Sequence, residues 1–532
     1  MAQGVVPAGY RVYSPRVNMY RETVGRSLAA GHGDRPALVW GGGSLTYTAL
    51  DTLVGRVAAG LRGLGIDAGT PVLMRSPNTP EAVVTTLALF RLGAVAVMSN
   101  SQLRREEVAY LLDNSEARIA CAPREHAAPL EALAAAGALD HVILLDAGPE
   151  EAGEAAAVTV AYAALAAFPA LAPVADTAAE DPAFMVYSSG TTGRPKGIRH
   201  AQRWVVALGD MVVLHNEYEP GCITMTPGEF SFMGTFGNNL IGPLRAGATV
   251  VLHWGRTTPR GVLEAVAQSG VTQFLSVPTL YRRILAEPGV EEGLDLSAVR
   301  YFMSAGESLG STVPERWSDR FAFPILEIYG VSEVMTCIAN TLYNPVKYGS
   351  MGKGLPGLRM AILDDRLQPV APGESGRLMI HRSDPGMYLG YYKAPEKWQA
   401  AHKGEWYDTG DVMRQDEEGY FYYLGRNDDL FKSRGYFISP QEIENILLRH
   451  PAVAEAAVIG IPDDAYGNRI AAFVKLGEDS GDVAPEAILS ATAELLAPYK
   501  MPKSLEILPE IPKNPVGKIQ RSALVKDSVA AD

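Results

Sequence analysis

The sequence predicts an α/β protein: a large N-terminal body of layered α/β subdomains that ends in a β-rich subdomain, then a small α+β C-terminal domain. Three features of the pattern say so. From Thr46 to Gly330, helical stretches with one apolar face alternate with short apolar strands, which is how a largely parallel sheet is written. From Met351 to Ile380, and again at Phe421–Arg426, strand-like pieces broken by Gly and Pro replace the helices. Beyond Gly425, charged residues and glycines mark a boundary. The segment after it has the length of an ordinary small domain.

In chain order, TYTALDTLVGRVAAGLRGLG (Thr46–Gly65) predicts a helix. Val54, Val57, Ala58, Leu61 and Leu64 recur at helical spacing, and Gly65 stands where helices stop. The strand PVLMRS follows, then the helix TPEAVVTTLALFRLGA with Pro80 in its first turn. AVAVMSN and ARIACAP read as strands on either side of the helix RREEVAYLLDNS. The alanine-rich stretch from Ala122 to Glu180 holds one clear strand, HVILLDA. A helix is expected from Ala201 to Leu214, then the strand ATVVLHW, the helix PRGVLEAVAQSG, the strands VTQFLSVP and AVRYFMSAG with a helix between them, and a strand leading into Tyr329. In the C-terminal part PQEIENILLRH is a helix, AVAEAAVIGI and AAFVKL are strands, and APEAILSATAELLAPY is a second helix.

At 532 residues the chain is too long for one core. Its net charge of −13 argues against a nucleic-acid partner, which needs a basic face, yet leaves room for small anions held by local positive charge. Cys121, Cys222 and Cys337 are widely spaced and form neither a zinc pattern nor a disulfide framework, which fits a reducing compartment. The N-terminal stretch has no apolar core of signal-peptide length, and no apolar run is long enough for a bilayer. A cytoplasmic protein with no membrane partner is expected.

The densest chemistry lies in YSSGTTGRPKGIRH (Tyr187–His200). Glycines let the backbone approach a ligand closely, successive N–H groups can form an anion-binding concavity, and hydroxyls and cations are interspersed. The stretch reads either as a phosphate cradle, with ATP as the polyphosphate, or as an ordinary surface loop of the same composition. It is not a Walker loop, because Gly197 rather than Ser or Thr follows Lys196, and it lacks the dinucleotide GxGxxG.

This loop resembles the phosphate loop of the adenylate-forming enzymes: acyl-CoA synthetases, luciferases and the adenylation domains of peptide synthetases. YGVSE (Tyr329–Glu333), YDTGD (Tyr407–Asp411), GRNDDLFKSRGYFISPQEIE (Gly425–Glu444) and NPVGKIQR (Asn514–Arg521) match the same family in the same order. The N-terminal third matches more loosely. The resemblance implies a body of residues 1–426 and a mobile lid of 427–532 hinged at Asp428. It places Ser188, Ser189, Gly190, Thr191, Thr192, Gly193, Lys196, Gly306, Glu307, Tyr329, Gly330, Ser332, Asp411 and Arg426 around the nucleotide. Tyr329 is the adenine-stacking position and Asp411 the ribose carboxylate, whose two oxygens suit a vicinal diol. Glu333 is the implied Mg²⁺ ligand, a hard carboxylate beside phosphates. Ser332 stands where most relatives carry Thr. Catalytic parts fall to Thr191, Ser332, Glu333 and above all Lys518, whose ammonium would offset charge as a carboxylate attacks phosphorus.

The implied reaction joins an acid to AMP and then passes the acyl group to the thiol of coenzyme A. Between the halves the lid rotates and the loop of Lys432, Ser433, Gly435 and Tyr436 enters. ATP, Mg²⁺ and coenzyme A are the expected cofactor and co-substrates. An acyl carrier protein is the alternative acceptor, and a non-catalytic acyl-nucleotide sensor is an alternative of another class. The chain is expected as a monomer or homodimer. For the acid pocket the resemblance offers Phe230, Gly234, Phe236, Asn238, Ala305, Gly306 and Gly330, with Phe232 as a further apolar wall and Asn238 or Glu229 toward a ring substituent. Amino-acid adenylation domains carry an aspartate where Gly234 stands, so an α-amino acid is not expected. The stretch looks most like benzoate and 2-aminobenzoate CoA ligases.

Overall fold

The computed structural model describes residues 13–524 apart from 149–157, 189–193, 208, 255–256, 428, 434–435, 464–466, 478–479, 482, 494, 514–518 and 522. Two large sheets make up the body. In the first, Thr159–Ala161, His141–Leu144, Ile119–Ala122, Pro71–Arg75, Val95–Ser99 and Pro182–Ser188 lie side by side and run parallel. Lys196–Ala201 and then Gly390–Tyr391 extend that edge antiparallel. The helices crossing over it form as the residue pattern dictates. Tyr47–Gly63 starts where the Thr46 side chain accepts from Ala49 N, and Pro80–Leu92 where Thr79 does the same for Ala82 N. Nearly every residue of Pro80–Leu92 is buried, because it packs between the sheet and Tyr47–Gly63.

The second sheet begins parallel: Pro36–Trp40, Thr249–Leu252, Ile223–Thr226, Gln273–Ser276, Tyr301–Ser304 and Ile325–Val331. It continues antiparallel through Met335–Ala339, Gly352–Gly354, Tyr420–Arg426, Trp406–Gln415, Ser375–His381 and Met360–Leu363. The β-rich segment read from the sequence is present, but it is not a separate layer. Ile325–Val331 has a parallel neighbour on one edge and an antiparallel one on the other, so the two regions share one sheet. This junction brings strands far apart in sequence beside the ends of the parallel strands, where ligands of open α/β sheets bind.

One expectation shifts locally, and one feature was not foreseen. The helix expected over 201–214 starts later, with Trp204–Ala207 and Gly209–His215 as its described parts, because Ala201 still belongs to the strand that pairs with Pro182. The stretch from Met233 is a helix with a π-turn at Gly237–Ile241, a widened turn that periodicity does not reveal.

After Arg426 the chain forms the hairpin Phe431–Ser433/Tyr436–Ile438 and a three-stranded sheet of its own. Val453–Asp463 and Gly467–Leu476 pair antiparallel, and Ser504–Ile507 adds parallel to the latter. Helices Pro440–Leu447 and Pro485–Thr492 pack on it through Ile443, Leu447 and Ile488. The sequence missed Ser504–Ile507, a short strand flanked by prolines. Among the described residues no helix is long and apolar enough to cross a membrane.

Candidate active site

Ser188 and Lys196 face each other as paired residues of adjacent antiparallel strands, so the two ends of the phosphate-loop sequence are held side by side near the edge of the first sheet. Ser189, Gly190, Thr191, Thr192 and Gly193 lie outside the described residues. The loop's exit is fixed: the Tyr110 hydroxyl donates to Pro195 O at 2.8 Å, and the Arg194 guanidinium lies 5.2 Å from the centre of the Tyr110 ring. Lys196 Nζ sits 5.0 Å above the Tyr391 ring.

Glu333 occupies the turn between Ile325–Val331 and Met335–Ala339, where Val331 pairs with Met335. Three consecutive carbonyls of this turn each accept from a different element. His200 Nε2 bonds Ser332 O at 2.9 Å, Tyr388 N donates to Glu333 O at 3.0 Å, and Trp204 Nε1 donates to Val334 O at 2.9 Å. A tight turn demands close backbone approach. A Cβ on Gly330 would lie 2.0 Å from Met335 O, and Met335 itself holds φ +139, a conformation costing a non-glycine residue about 1–3 kcal/mol. The Glu333 carboxylate is thereby aimed, and its Oε1 accepts from the Tyr391 hydroxyl at 2.7 Å. Lys196 and Glu333, a cation and an anion from different sheets, meet on one tyrosine.

His200 is fully buried and stacked on Phe184 with ring centres 4.7 Å apart. Burial pushes its pKa down to about 3, so the imidazole is neutral and its Nε2–H is the donor to Ser332 O.

A second constellation gathers Tyr329, Asp411 and Arg426. Asp411 and Arg426 are register partners on adjacent strands. Arg426 Nη1 lies 3.1 Å from Asp411 Oδ1, the Tyr329 hydroxyl donates to Oδ2 at 2.5 Å, and the Tyr423 hydroxyl approaches Oδ1 at 3.4 Å. Burial raises the Asp411 pKa, opposed by the Arg426 charge. The constellation sets a buried carboxyl beside an aromatic ring and a guanidinium.

On the acid side the expected residues separate. Phe236 lies wholly inside an aromatic cluster with Phe90, Phe184 and Trp204. Asn238 is also fully buried: its amide donates to Gly234 O at 2.8 Å and accepts from Asn216 at 3.1 Å, so the protein itself uses it. The Glu229 carboxylate accepts from Ser101 N, the Ser101 hydroxyl and the Ser231 hydroxyl, pinning this stretch to the first sheet. Phe230 is buried, with its N–H donating to Asn78 Oδ1 at 2.8 Å. What remains open is Gly234, Gly306 and two exposed apolar side chains, Phe232 (49% exposed) and Val277 (47%). Both stand within 4 Å of a Cβ placed on Gly306, whose φ of +96 suits glycine. Ala305 is half-buried and Glu307 exposed on the same loop. Val277 was not foreseen, since an isolated valine before a proline carries no signal.

In the C-terminal domain, Lys518, Asp428 and Gly435 lie outside the described residues. Lys432 and Ser433 stand on one arm of the hairpin and Tyr436 on the other, with Ser433 Oγ donating to Asn468 O at 2.7 Å. Arg521, three residues beyond Lys518, grips Glu444 at 2.8 and 3.0 Å and reaches Asp429 at 3.6 Å. Arg449 donates to Ser311 Oγ at 3.1 Å, a contact between this domain and the body.

A family model described as AMP-binding enzyme matches residues 26–392, and one described as AMP-binding enzyme C-terminal domain matches residues 442–518. A benzoate–CoA ligase of Thauera aromatica is 34% identical over 516 residues, covering 96% of each chain. A 3-hydroxybenzoate–CoA/4-hydroxybenzoate–CoA ligase of the same organism is 32% identical over 512 residues, covering 96% of this chain and 97% of that protein. The crystal structure of the anthranilate CoA ligase AuaEII in complex with anthranoyl-AMP has a TM-score of 0.88 at 29% identity, covering 98% of this chain and 99% of the other. With a family model spanning most of the body and relatives above 30% identity over nearly their whole length, the chain belongs to the AMP-binding, adenylate-forming enzymes, as an AMP-forming acid–CoA ligase.

Proposed function

We propose that the protein activates an aromatic carboxylic acid of the benzoate class as an acyl-adenylate and transfers it to coenzyme A. The observation that carries this reading is the meeting of Lys196 and Glu333 at Tyr391, which sets a cation and a carboxylate at the root of the phosphate loop. The names of the relatives support the aryl class, and so does the apolar rim of Phe232 and Val277 over Gly306, with no charged group of this stretch left free for an α-amino group.

In this reading Ser188, Ser189, Gly190, Thr191, Thr192, Gly193 and Lys196 hold the phosphates. Tyr329 and Gly330 flank the adenine, Asp411 takes the ribose hydroxyls with Arg426 orienting it, and Gly306 and Glu307 close the opposite side. Phe230, Gly234 and Ala305 border the acid. Lys518 approaches the acid carboxylate and the α-phosphate, offsetting the charge that develops as they react. The hairpin of Lys432, Ser433, Gly435 and Tyr436 then replaces it for thiol attack after rotation at Asp428, one site serving two chemistries through a hinge.

The residues present fit Mg²⁺. Among the described residues no group of three or more His, Cys, Asp and Glu is placed to hold a metal ion, whereas a single half-buried carboxylate, Glu333, is joined through Tyr391 to Lys196 at the described end of the phosphate-loop sequence. One or two carboxylates with substrate phosphates is the usual Mg²⁺ arrangement. When bound there it supplies neutralising charge to the phosphates.

A pyrophosphate-release screen over benzoates, cinnamates and fatty acids, with and without coenzyme A, tests the reading. Release with benzoates together with aryl-CoA formation is expected. Release without aryl-CoA points to a carrier-protein acceptor, preference for fatty acids overturns the aryl assignment, and no release with any acid overturns the enzyme reading.

A further inference from the structure

Glu327 is a charged residue in the interior of an apolar strand, two positions before Tyr329, and it is 3% exposed. Alternation along Ile325–Val331 puts Glu327 and Tyr329 on the same face of the sheet. Its Oε1 accepts from Leu309 N at 2.7 Å, and the Ser308 hydroxyl is a second donor to the carboxyl. Leu309 ends the loop that leaves strand Tyr301–Ser304 and carries Ala305, Gly306 and Glu307, and its own side chain is buried in the core beneath. The next residues, Gly310 and Ser311, lie against Asn445 and Arg449 of the C-terminal domain. Ser304, the register partner of Glu327, has a buried Oγ with no hydrogen-bond partner. The charged group that faces Glu327 is Arg282 on helix Pro278–Ala286, which also faces Glu307.

A buried carboxyl is costly, and a strand interior has no need of one. Leu or Ile there would leave Leu309 N–H without this acceptor. Resting on the nucleotide and acid site proposed above, we propose that Glu327 is a positioning residue: its carboxyl anchors the Ala305–Gly310 loop at Leu309 N and so holds Gly306 and Glu307 at a fixed distance from Tyr329. Burial brings this carboxyl up to about 8, within reach of ordinary assay conditions. Ionised, it is the stronger acceptor for Leu309 N–H and Ser308 O–H and attracts Arg282, so the anchor tightens as pH rises.

The test compares wild type, Glu327→Gln, which keeps the acceptor oxygen but cannot ionise, and Glu327→Leu, which removes the acceptor. Michaelis constants for ATP and the acid are measured from pH 6 to 9.5, together with hydrogen exchange of residues 305–311. Glu327→Leu is expected to raise both Michaelis constants about tenfold, the scale of one lost hydrogen bond to such a group, and to speed exchange of the loop. Glu327→Gln is expected to stay within about threefold of wild type at pH 7. It should also abolish the fall in Michaelis constant expected of wild type near pH 8. Wild-type exchange of 305–311 in Glu327→Leu, or a pH profile of Glu327→Gln superimposable on wild type, would overturn the proposal. If wild type turns over no acid but Glu327→Leu still loosens the loop, the functional reading fails while the anchor stands.

Discussion

The Tyr391 hydroxyl donates to a Glu333 carboxylate oxygen at 2.7 Å while the ring of the same residue lies 5.0 Å beneath Lys196 Nζ. One side chain thus sets the spacing between the cation of the phosphate loop and the carboxylate proposed for the metal. Tyr391 can do this because its strand, Gly390–Tyr391, pairs with Lys196–Ala201, while Tyr388 N holds the Glu333 carbonyl.

Tyr391→Phe should therefore lose the bond to Glu333 and keep the ring under Lys196. A hydrogen bond to a charged group is worth about 1.5–3 kcal/mol, so kcat/KM for ATP should fall about tenfold or more. The Mg²⁺ concentration for half-maximal rate should rise in parallel. Tyr391→Leu removes the ring as well and should fall further, by roughly the 0.5–2 kcal/mol of a cation–π contact. Unchanged Mg²⁺ dependence in Tyr391→Phe would remove this residue from the site.

Asp411 is the only acceptor found for the Tyr329 hydroxyl among the described residues, and it pairs with Arg426 on the neighbouring strand. Asp411→Ala should raise the Michaelis constant for ATP about a hundredfold and cost about 3 kcal/mol of stability, as expected for breaking a buried charged pair. Asp411→Asn keeps the shape and one acceptor oxygen. It should recover most of the stability yet little of the ATP affinity, because an amide cannot accept at both positions. Parallel recovery of both quantities would mean that Asp411 serves structure alone.

The large divisions of this fold were legible in the sequence because periodicity is local: Tyr47–Gly63 and Pro80–Leu92 announce themselves through caps and apolar spacing. The motif residues Glu333, Asp411 and Arg426 were singled out through resemblance. What joins them was not. Tyr391 and His200 act through strand pairings and carbonyls distant in the chain, and a tyrosine or histidine in an apolar run reads as core. The fate of Asn238 was hidden for the same reason, since its partners Asn216 and Thr336 come from other elements. Glu327 did leave a trace, a lone carboxylate in ILEIYG, but only the folded chain shows the Leu309 amide it meets.

In sequence Lys518 falls between two described residues that are held, Lys513 by Glu455 at 2.6 Å and Arg521 by Glu444. If Lys518 serves adenylation, Lys518→Ala should cut acyl-adenylate formation by about two orders of magnitude or more, as when a preorganised charge-stabilising group is removed. It should leave thioester formation from preformed acyl-adenylate nearly intact. Equal losses in both half-reactions would deny it that role. Arg521→Ala leaves the Glu444 carboxylate buried without its cation and should destabilise the C-terminal domain by about 3–5 kcal/mol. Double substitution Arg521→Met with Glu444→Leu removes both charges, and should restore stability more than adenylation if Arg521 also positions the lysine-bearing segment.

His200 makes the turn that carries Glu333 sensitive to acid. In the folded chain its pKa lies at about 3, because burial against Phe184 and Trp204 excludes the charged form, while in the unfolded chain it titrates near the ordinary value of about 6.5. The unfolded state therefore takes up a proton first as pH falls, so stability is lost from about pH 6.5 downward and continues to drop until the folded form titrates. Between pH 7.5 and 5 this one residue should account for about 2 kcal/mol of lost stability. The similarly buried His215 contributes to the same acid limb, since burial lowers its pKa to about 4. His200→Gln offers an amide N–H to Ser332 O and cannot charge. The stability of wild type relative to this variant should fall by about 2 kcal/mol when urea denaturation is repeated at pH 5 rather than pH 7.5, whatever the offset at neutral pH. A difference that stays constant across those two pH values would show that the imidazole is already solvated enough to accept its proton in the folded protein.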